Sequence, residues 1–236
     1  MSNAREAEVY ASLEGTSPLK WRSGVKHDCS KVMELKSFGG KFQNGLGEPV
    51  EIEDVFVYPM LKSSELAKSG SLTVRHMLVT QQFVGEDTAR IEIDAPATWR
   101  YLQAHGHYMD KRTSTIYRNR PRFSVFGVGP YAFAPWKVAI SGFYKRLEFS
   151  VIGPVDGKPV VLDDTCYFLP FVSKDEAETV KTVLHSQPAM RFLRSRVFWD
   201  SKRPITAGLL RSLNLAALAA QLDTSLPPSY EEEMFK

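Results

Sequence analysis

The sequence predicts an α+β fold, with a mixed or antiparallel sheet core and helices concentrated in the C-terminal third. Three observations carry that reading. Trp136, Val138 and Ile140 alternate with Lys137, Ala139 and Ser141, and Leu147, Phe149 and Val151 alternate with Glu148 and Ser150, the period of two that a strand imposes. Asp156-Gly157 then supplies the chemistry of a tight turn into Val160-Val161-Leu162. From Ser173 the period changes: Ser173 and Glu176 make a capping box, and Ala177, Val180, Val183 and Leu184 follow at helical spacing.

The remaining elements fill in around these. Glu6 to Leu13 suits a short helix, broken by Gly15-Thr16-Ser17-Pro18, and Trp21 to Leu35 is strand-like. Lys41 to Pro49, rich in glycine, reads as a loop. Val55 to Tyr58 suits a buried strand, Ser63-Ser64-Glu65-Leu66 a helical turn, and Arg75 to Phe83 a further strand. Pro96 opens a helix that runs to His105, with Gly106 just past its end. Thr165 to Phe171 is another apolar strand. A last helix begins near Pro204 or Thr206, with Leu209, Leu210 and Leu213 inward and Leu215, Leu218 and Leu222 continuing the stripe as far as Pro227-Pro228. The domain organisation expected is a tag remnant and linker helix over 1–16, one domain over 17–222 (strand-rich 17–172, helical 173–222), and a flexible acidic tail over 223–236.

Composition excludes several classes. The 236 residues are 43 % apolar and 24 % charged, ordinary for a globular protein. No apolar run approaches the roughly 18–20 residues of a membrane span, and the N-terminus lacks the apolar core of a signal peptide. Cys29 and Cys166 stand alone, outside any CxxC pair, which fits a reducing cytoplasm.

The charge is unevenly placed. From Lys111 to Leu147 there is no Asp or Glu, yet Lys111, Arg112, Arg118, Arg120, Arg122, Lys137, Lys145 and Arg146 fall there. With a formal total of +3, that stretch of +8 leaves −5 for the rest of the chain. Its densest part is Tyr117-Arg118-Asn119-Arg120-Pro121-Arg122-Phe123. If extended, it places the three guanidiniums on one face at about 6.6 Å per step, close to the phosphate spacing of a nucleic-acid strand. Arginine suits phosphate and guanine edges, and Tyr117 or Phe123 suits base stacking. The alternatives are a solvated face paired with acid elsewhere, or a strip that docks an acidic partner.

Chemistry-bearing motifs are weak. Phe126-Gly127-Val128-Gly129 resembles a cofactor loop, but Pro130 follows where a helix is needed, so a hairpin or bulge is the better reading. Pro227-Pro228-Ser229-Tyr230 has the wrong order for a base-amino methylation motif. Asp28, Glu34 and Lys36 fit the template of a metal-dependent nuclease loosely, the alternative function considered. Asp163-Asp164 reads as a strand cap before a cation site, and His105, His107 and Asp110 lack the further ligand a metal centre needs. No nucleophile–base pairing is suggested, so no catalytic or metal residues are expected.

Longer strings carry a resemblance. Trp21-Arg22-Ser23-Gly24-Val25-Lys26-His27-Asp28-Cys29-Ser30, Asn44-Gly45-Leu46-Gly47-Glu48, Val57-Tyr58-Pro59-Met60-Leu61-Lys62-Ser63-Ser64 and Ile116-Tyr117-Arg118-Asn119-Arg120-Pro121-Arg122-Phe123 come in one order. So do Phe126 to Gly142, Leu162-Asp163-Asp164-Thr165-Cys166-Tyr167-Phe168 and Phe198-Trp199-Asp200-Ser201-Lys202-Arg203-Pro204-Ile205-Thr206. Together, from Trp21 to Leu222, they resemble the C-terminal target recognition (specificity) domain of bacterial adenine-N6 DNA methyltransferases of restriction–modification systems. The resemblance implies sequence-specific duplex DNA binding beside a catalytic domain, in cis or in trans, that uses S-adenosylmethionine and flips out an adenine. This chain lacks that domain's motifs, so no cofactor and no catalysis are expected of it alone. The candidate DNA contacts rest on charge: Arg118, Arg120 and Arg122 first, then Tyr117, Asn119, Lys137, Lys145 and Arg146. Lys26, His27, Lys202 and Arg203 join them where the resemblance is strongest.

Overall fold

A computed structural model describes residues 11–67 and 74–234; the expected tag remnant and most of the Glu6–Leu13 helix lie outside them. In chain order the strands are β1 (Arg22–Ser23), β2 (Glu34–Phe38), β3 (Lys41–Gln43), β4 (Pro49–Val50), β5 (Val57–Leu61), β6 (Arg75–Leu78), β7 (Trp136–Ser141), β8 (Ser150–Ile152), β9 (Val161–Leu162) and β10 (Cys166–Phe171). The helices are α1 (Ser30–Met33), α2 (Ser63–Leu66), α3 (Ile91–Asp94), α4 (Pro96–Asp110), α5 (Lys174–Leu184), α6 (Gln187–Arg196), α7 (Ala207–Arg211), α8 (Leu215–Gln221) and α9 (Tyr230–Met234).

The strands form two sheets. One is antiparallel throughout, in the order β1-β10-β7-β8, and the other runs β4-β3-β2-β6-β5-β9 with a parallel pair between β5 and β9. This is the α+β architecture that the alternating strands and the C-terminal leucine stripe predict. Asp156 and Gly157 both adopt left-handed backbone between Val155 and Lys158, which exchange two hydrogen bonds of 2.9 Å, as a primed turn requires. That turn does not close a hairpin, because β8 stays in the four-stranded sheet and β9 crosses to the other.

The pleat explains the packing. On β7 and β10, Val138, Ile140, Leu169 and Phe171 meet Val180, Leu184, Phe192, Leu210 and Leu218 of the C-terminal helices. The opposite pleat, with Ala139, Cys166 and Phe168, packs on Leu61, Leu66 and Leu162 of the second sheet. Both faces of the β7–β10 ladder are therefore buried.

The helices start where side chains cap them. Ser173 and Glu176 form the expected capping box on α5, Thr206 caps α7 and Asn214 caps α8, so the predicted last helix is two. Helix α6, capped by Ser186, goes beyond the sequence reading. At the start of α4, burial alone would raise the Glu53 carboxyl, but hydrogen bonds from Ala97 N, Thr98 Oγ1 and Thr98 N hold it at about 2.

Four expectations need correction. Trp21 to Leu35 is not strand throughout, since α1 stands at Ser30–Met33 between β1 and β2. Lys41 to Pro49 is not a loop throughout: β3 and β4 flank a turn in which Asn44 Oδ1 accepts from the amides of Leu46 and Glu48. Helix α4 does not stop at Gly106 but runs to Asp110. The described part of the acidic tail packs on the domain, since Tyr230 is buried and Glu231 pairs with Arg22.

Burial of both ladder faces also corrects Lys137. Its side chain is 0 % exposed and its Nζ donates to Ala134 O at 2.5 Å, so it is a core residue and no surface contact. Burial brings its amine down to about 7. Between pH 7 and about 10 the unfolded chain then holds a proton that the folded chain lacks, so wild-type stability rises with pH across that window. Replacing Lys137 with Met is expected to raise unfolding stability at pH 7 by roughly 1–4 kcal/mol and to flatten that rise. Denaturant titrations at pH 7 and pH 10 check this; parallel pH curves for the two proteins would show that Lys137 is not a buried neutral amine.

Candidate nucleic-acid interface

The densest basic segment is not extended. Thr115–Tyr117 is a single 3-10 turn, Asn119 takes a left-handed φ of 58°, and Phe123 is 0 % exposed. The comb expected of Arg118, Arg120 and Arg122 is thereby overturned, because the chain rotates at Asn119 instead of alternating. Asparagine tolerates that conformation better than most residues.

The segment is moulded around Arg112. Its guanidinium stacks on the Tyr117 ring at 3.7 Å from the centroid. It donates to Met109 O at 3.0 Å, Ser124 O and Arg122 O at 2.7 Å each, and His27 O at 3.4 Å. One cation thus reaches four carbonyls, of which Met109 O also accepts from Arg112 N at 3.1 Å. Tyr117 is engaged as well: its hydroxyl donates to Lys26 O at 3.3 Å and its ring meets Phe126 edge-on.

Arg122 is also committed. It makes a bidentate pair with Asp110 (3.0 and 2.6 Å) and donates to Gln103 at 3.1 Å, which holds the Asp110 carboxyl below its ordinary range. It lies across α4 over Gly106, where a Cβ would stand 2.5 Å from the guanidinium. Gly106 is thus a slot for Arg122 inside the helix, not its C-terminal stop.

Arg118 and Arg120 remain. Both are exposed, and neither side chain has a hydrogen-bond or ion-pair partner among the described residues. With Tyr117, Thr113, Ser114 and Pro121 they line a shallow depression of about 640 Å³.

The neighbouring candidates are joined to this depression by backbone. Lys26 pairs with Phe126 through two hydrogen bonds of 2.8 and 2.9 Å, beside Gly127, which has a φ of 68° and where a Cβ would stand 2.3 Å from Gly24 O. The Phe126–Gly129 string is accordingly a close backbone crossing. Lys26 Nζ reaches Asp28 at 2.5 Å and Asp164 at 3.8 Å. Asp164 O in turn accepts from Arg203, whose guanidinium lies 5.0 Å from the Phe143 ring centroid and 5.4 Å from that of Tyr167. Lys145, Arg146 and Lys202 are exposed on the two loops that meet there. A continuous band therefore runs from Arg118 and Arg120 through Tyr117, Lys26 and Asp164 to Arg203.

His27 is misplaced by the charge reading. It is buried, its Nδ1 accepts from Cys29 N at 3.0 Å and its Nε2 lies 3.3 Å from Glu34. Glu34 also takes Lys62 at 2.5 Å and faces Arg75 at 4.0 Å, and despite burial the hydrogen bonds from His27 and Lys62 lower its carboxyl. Glu34 Oε1 is taken up by Lys62 and His27, and Asp28 is turned to Lys26, so the nuclease triad with Lys36 does not assemble. Likewise His105 pairs with Glu48 at 2.7 Å and Asp110 with Arg122. No group of three metal-binding side chains forms among the described residues. The part played by Arg112 and the slot at Gly106 leave no periodic mark in the sequence, since both depend on carbonyls and side chains that converge only after folding.

No family model matches the chain. Over 204 residues, 86 % of its length, it is 50 % identical to the type II methyltransferase M.NspV of Nostoc sp., of which the match covers 42 %. The chain thus spans less than half of that relative. The solved structure of the type IIL restriction-modification enzyme MmeI in complex with DNA overlaps 94 % of this chain and 35 % of its own, with 11 % identity and a TM-score of 0.45. That likeness is too distant to speak for this chain. The identity with M.NspV relates the chain to one part of a type II methyltransferase.

The division between anchoring and free cations is testable by stability. Arg112→Lys is expected to lower unfolding stability by about 2 kcal/mol or more, because an ammonium cannot stack on Tyr117 and reach the same carbonyls. Arg118→Ala should stay within about 0.5 kcal/mol of wild type. Equal losses in urea unfolding would remove the distinction.

Proposed function

We propose that the chain is the target recognition region of an adenine-N6 DNA methyltransferase and grips duplex DNA through the band that starts at Arg118 and Arg120. The observation that carries this reading is a pair of exposed guanidiniums, without side-chain partners among the described residues, on a segment whose Arg112 and Arg122 are spent internally. Half the identity of a type II methyltransferase, shared over most of this chain, supports it. On this reading residues 17–222 act as one recognition domain. Catalysis belongs to a separate methyltransferase domain, in cis or in trans, that binds S-adenosylmethionine.

The geometry suits contacts of two kinds. Arg118, Arg120, Lys145, Arg146 and Lys202 project freely and would neutralise phosphates, which sets orientation and register. Asn119, at the left-handed corner between the two arginines, is placed to read a base edge. Lys26 and Arg203 are partly occupied by Asp28 and by the Asp164 carbonyl, so they would reach DNA by exchanging those partners. Tyr117 and Arg122 shape the depression more than they contact a ligand, because their polar groups are already paired.

Duplex affinity should fall steeply with salt, with a slope of log K against log[salt] of about −0.9 per phosphate contacted. Replacing Arg118 and Arg120 with Glu together is expected to weaken binding at least about tenfold and to reduce that slope by about 2, with thermal unfolding unchanged. Fluorescence anisotropy on a labelled duplex across a salt series measures both. An unchanged slope in the double variant would overturn the reading.

A further inference from the structure

We infer that the Val197–Arg203 turn carries a second DNA contact, in which Phe198 wedges into the base stack while the adjoining cations hold the backbone; this rests on the DNA-binding reading above.

Phe198 is 82 % exposed, an unusual state for a phenylalanine in a folded chain. It is not displayed by a loose loop. Val197 before it and Ile205 after it are core residues, and Trp199 packs on the same core. The turn is closed by Ser201 N donating to Phe198 O at 3.0 Å, and Ser201 Oγ accepts from Arg203 N at 3.2 Å. An apolar side chain is thus held outward by neighbours on both sides that are held inward, so little conformational freedom has to be lost on insertion.

The surroundings select the partner. Arg203 bridges the turn to the Gly142–Arg146 loop by lying over Phe143, and that loop is fixed in turn by Gly142 N donating to Thr165 O at 2.9 Å. Phe143 and Tyr144 are also exposed. Lys145, Arg146, Lys202 and Arg203 accompany these aromatics, against two carboxylates, Asp200 and the Asp164 that faces Lys26. Exposed rings ringed by cations complement a polyanion with stacked bases better than they complement a protein face, which favours few charges at its centre. The path from Arg203 through Asp164 and Lys26 to Tyr117 makes this turn continuous with the Arg118–Arg120 depression, so one duplex spans both.

A wedge separates itself from a phosphate contact by two signatures. It neutralises no phosphate, and it gains most where unstacking is already paid by a defect in the duplex. The test uses the full chain with a perfect duplex and the same duplex carrying one unpaired central nucleotide. Wild type should prefer the bulged duplex by about fivefold or more. Phe198→Ala should lose that preference and bind about 5- to 100-fold more weakly with an unchanged salt slope, whereas Phe198→Trp retains both. Because the side chain is exposed, Phe198→Ala should melt with wild type. If Phe198→Ala keeps affinity and preference, the ring faces something other than DNA and the inference falls while DNA binding stands. If wild type binds neither duplex, the DNA-binding reading fails and takes this inference with it.

Discussion

The candidate surface depends on one antiparallel ladder, β7 against β10. Its register sets Ser141 opposite Cys166, so the chain leaving β7 at Gly142 and the chain entering β10 at Thr165 emerge together and are tied by a hydrogen bond. Val25 docks on the same end, its amide donating to Leu162 O at 2.6 Å and its carbonyl accepting from Asp164 N at 3.1 Å. Arg203 closes the arrangement from the C-terminal side. Four segments distant in sequence are thereby brought to one end of a ladder that is buried on both faces and has no freedom to slip.

Cations in this chain do three different things, and the difference lies in the partners that the fold brings to each. Arg112 and Lys137 give their hydrogen bonds to backbone carbonyls, Arg122 gives its to Asp110 and Gln103, and these residues hold the fold. Lys26 and Arg203 are shared, with local partners but enough exposure to exchange them. Arg118, Arg120, Lys145, Arg146 and Lys202 project free of side-chain partners among the described residues. A desolvated guanidinium needs its donors satisfied, whereas an exposed one is satisfied by water until a ligand replaces it. A count of charge along the sequence treats all ten alike.

Residues that act through their neighbours within a few positions were legible in the sequence. The Ser173–Glu176 capping box, the Asp156-Gly157 turn, Pro96 at the start of α4 and the period-two strands reach their partners locally, and the structure contains each of them. Misreadings arise where tertiary partners overrule the local rule. Gly106 reads as a helix stop until Arg122 is seen lying over it, and Lys137 reads as the polar side of an amphipathic strand until the second sheet covers that side.

The sequence by itself determined the fold class, the positions of α4, α5, β7 and β10, and the concentration of positive charge between Lys111 and Leu147, because periodicity, capping and composition are local properties. Only the tertiary structure decided which of those charges face solvent. The Tyr117–Phe123 segment bends at Asn119 and folds over Arg112, whose guanidinium supplies the donors for the carbonyls of Ser124, Arg122 and His27. That arrangement exists only after distant segments have met, so no pattern along the chain announces it.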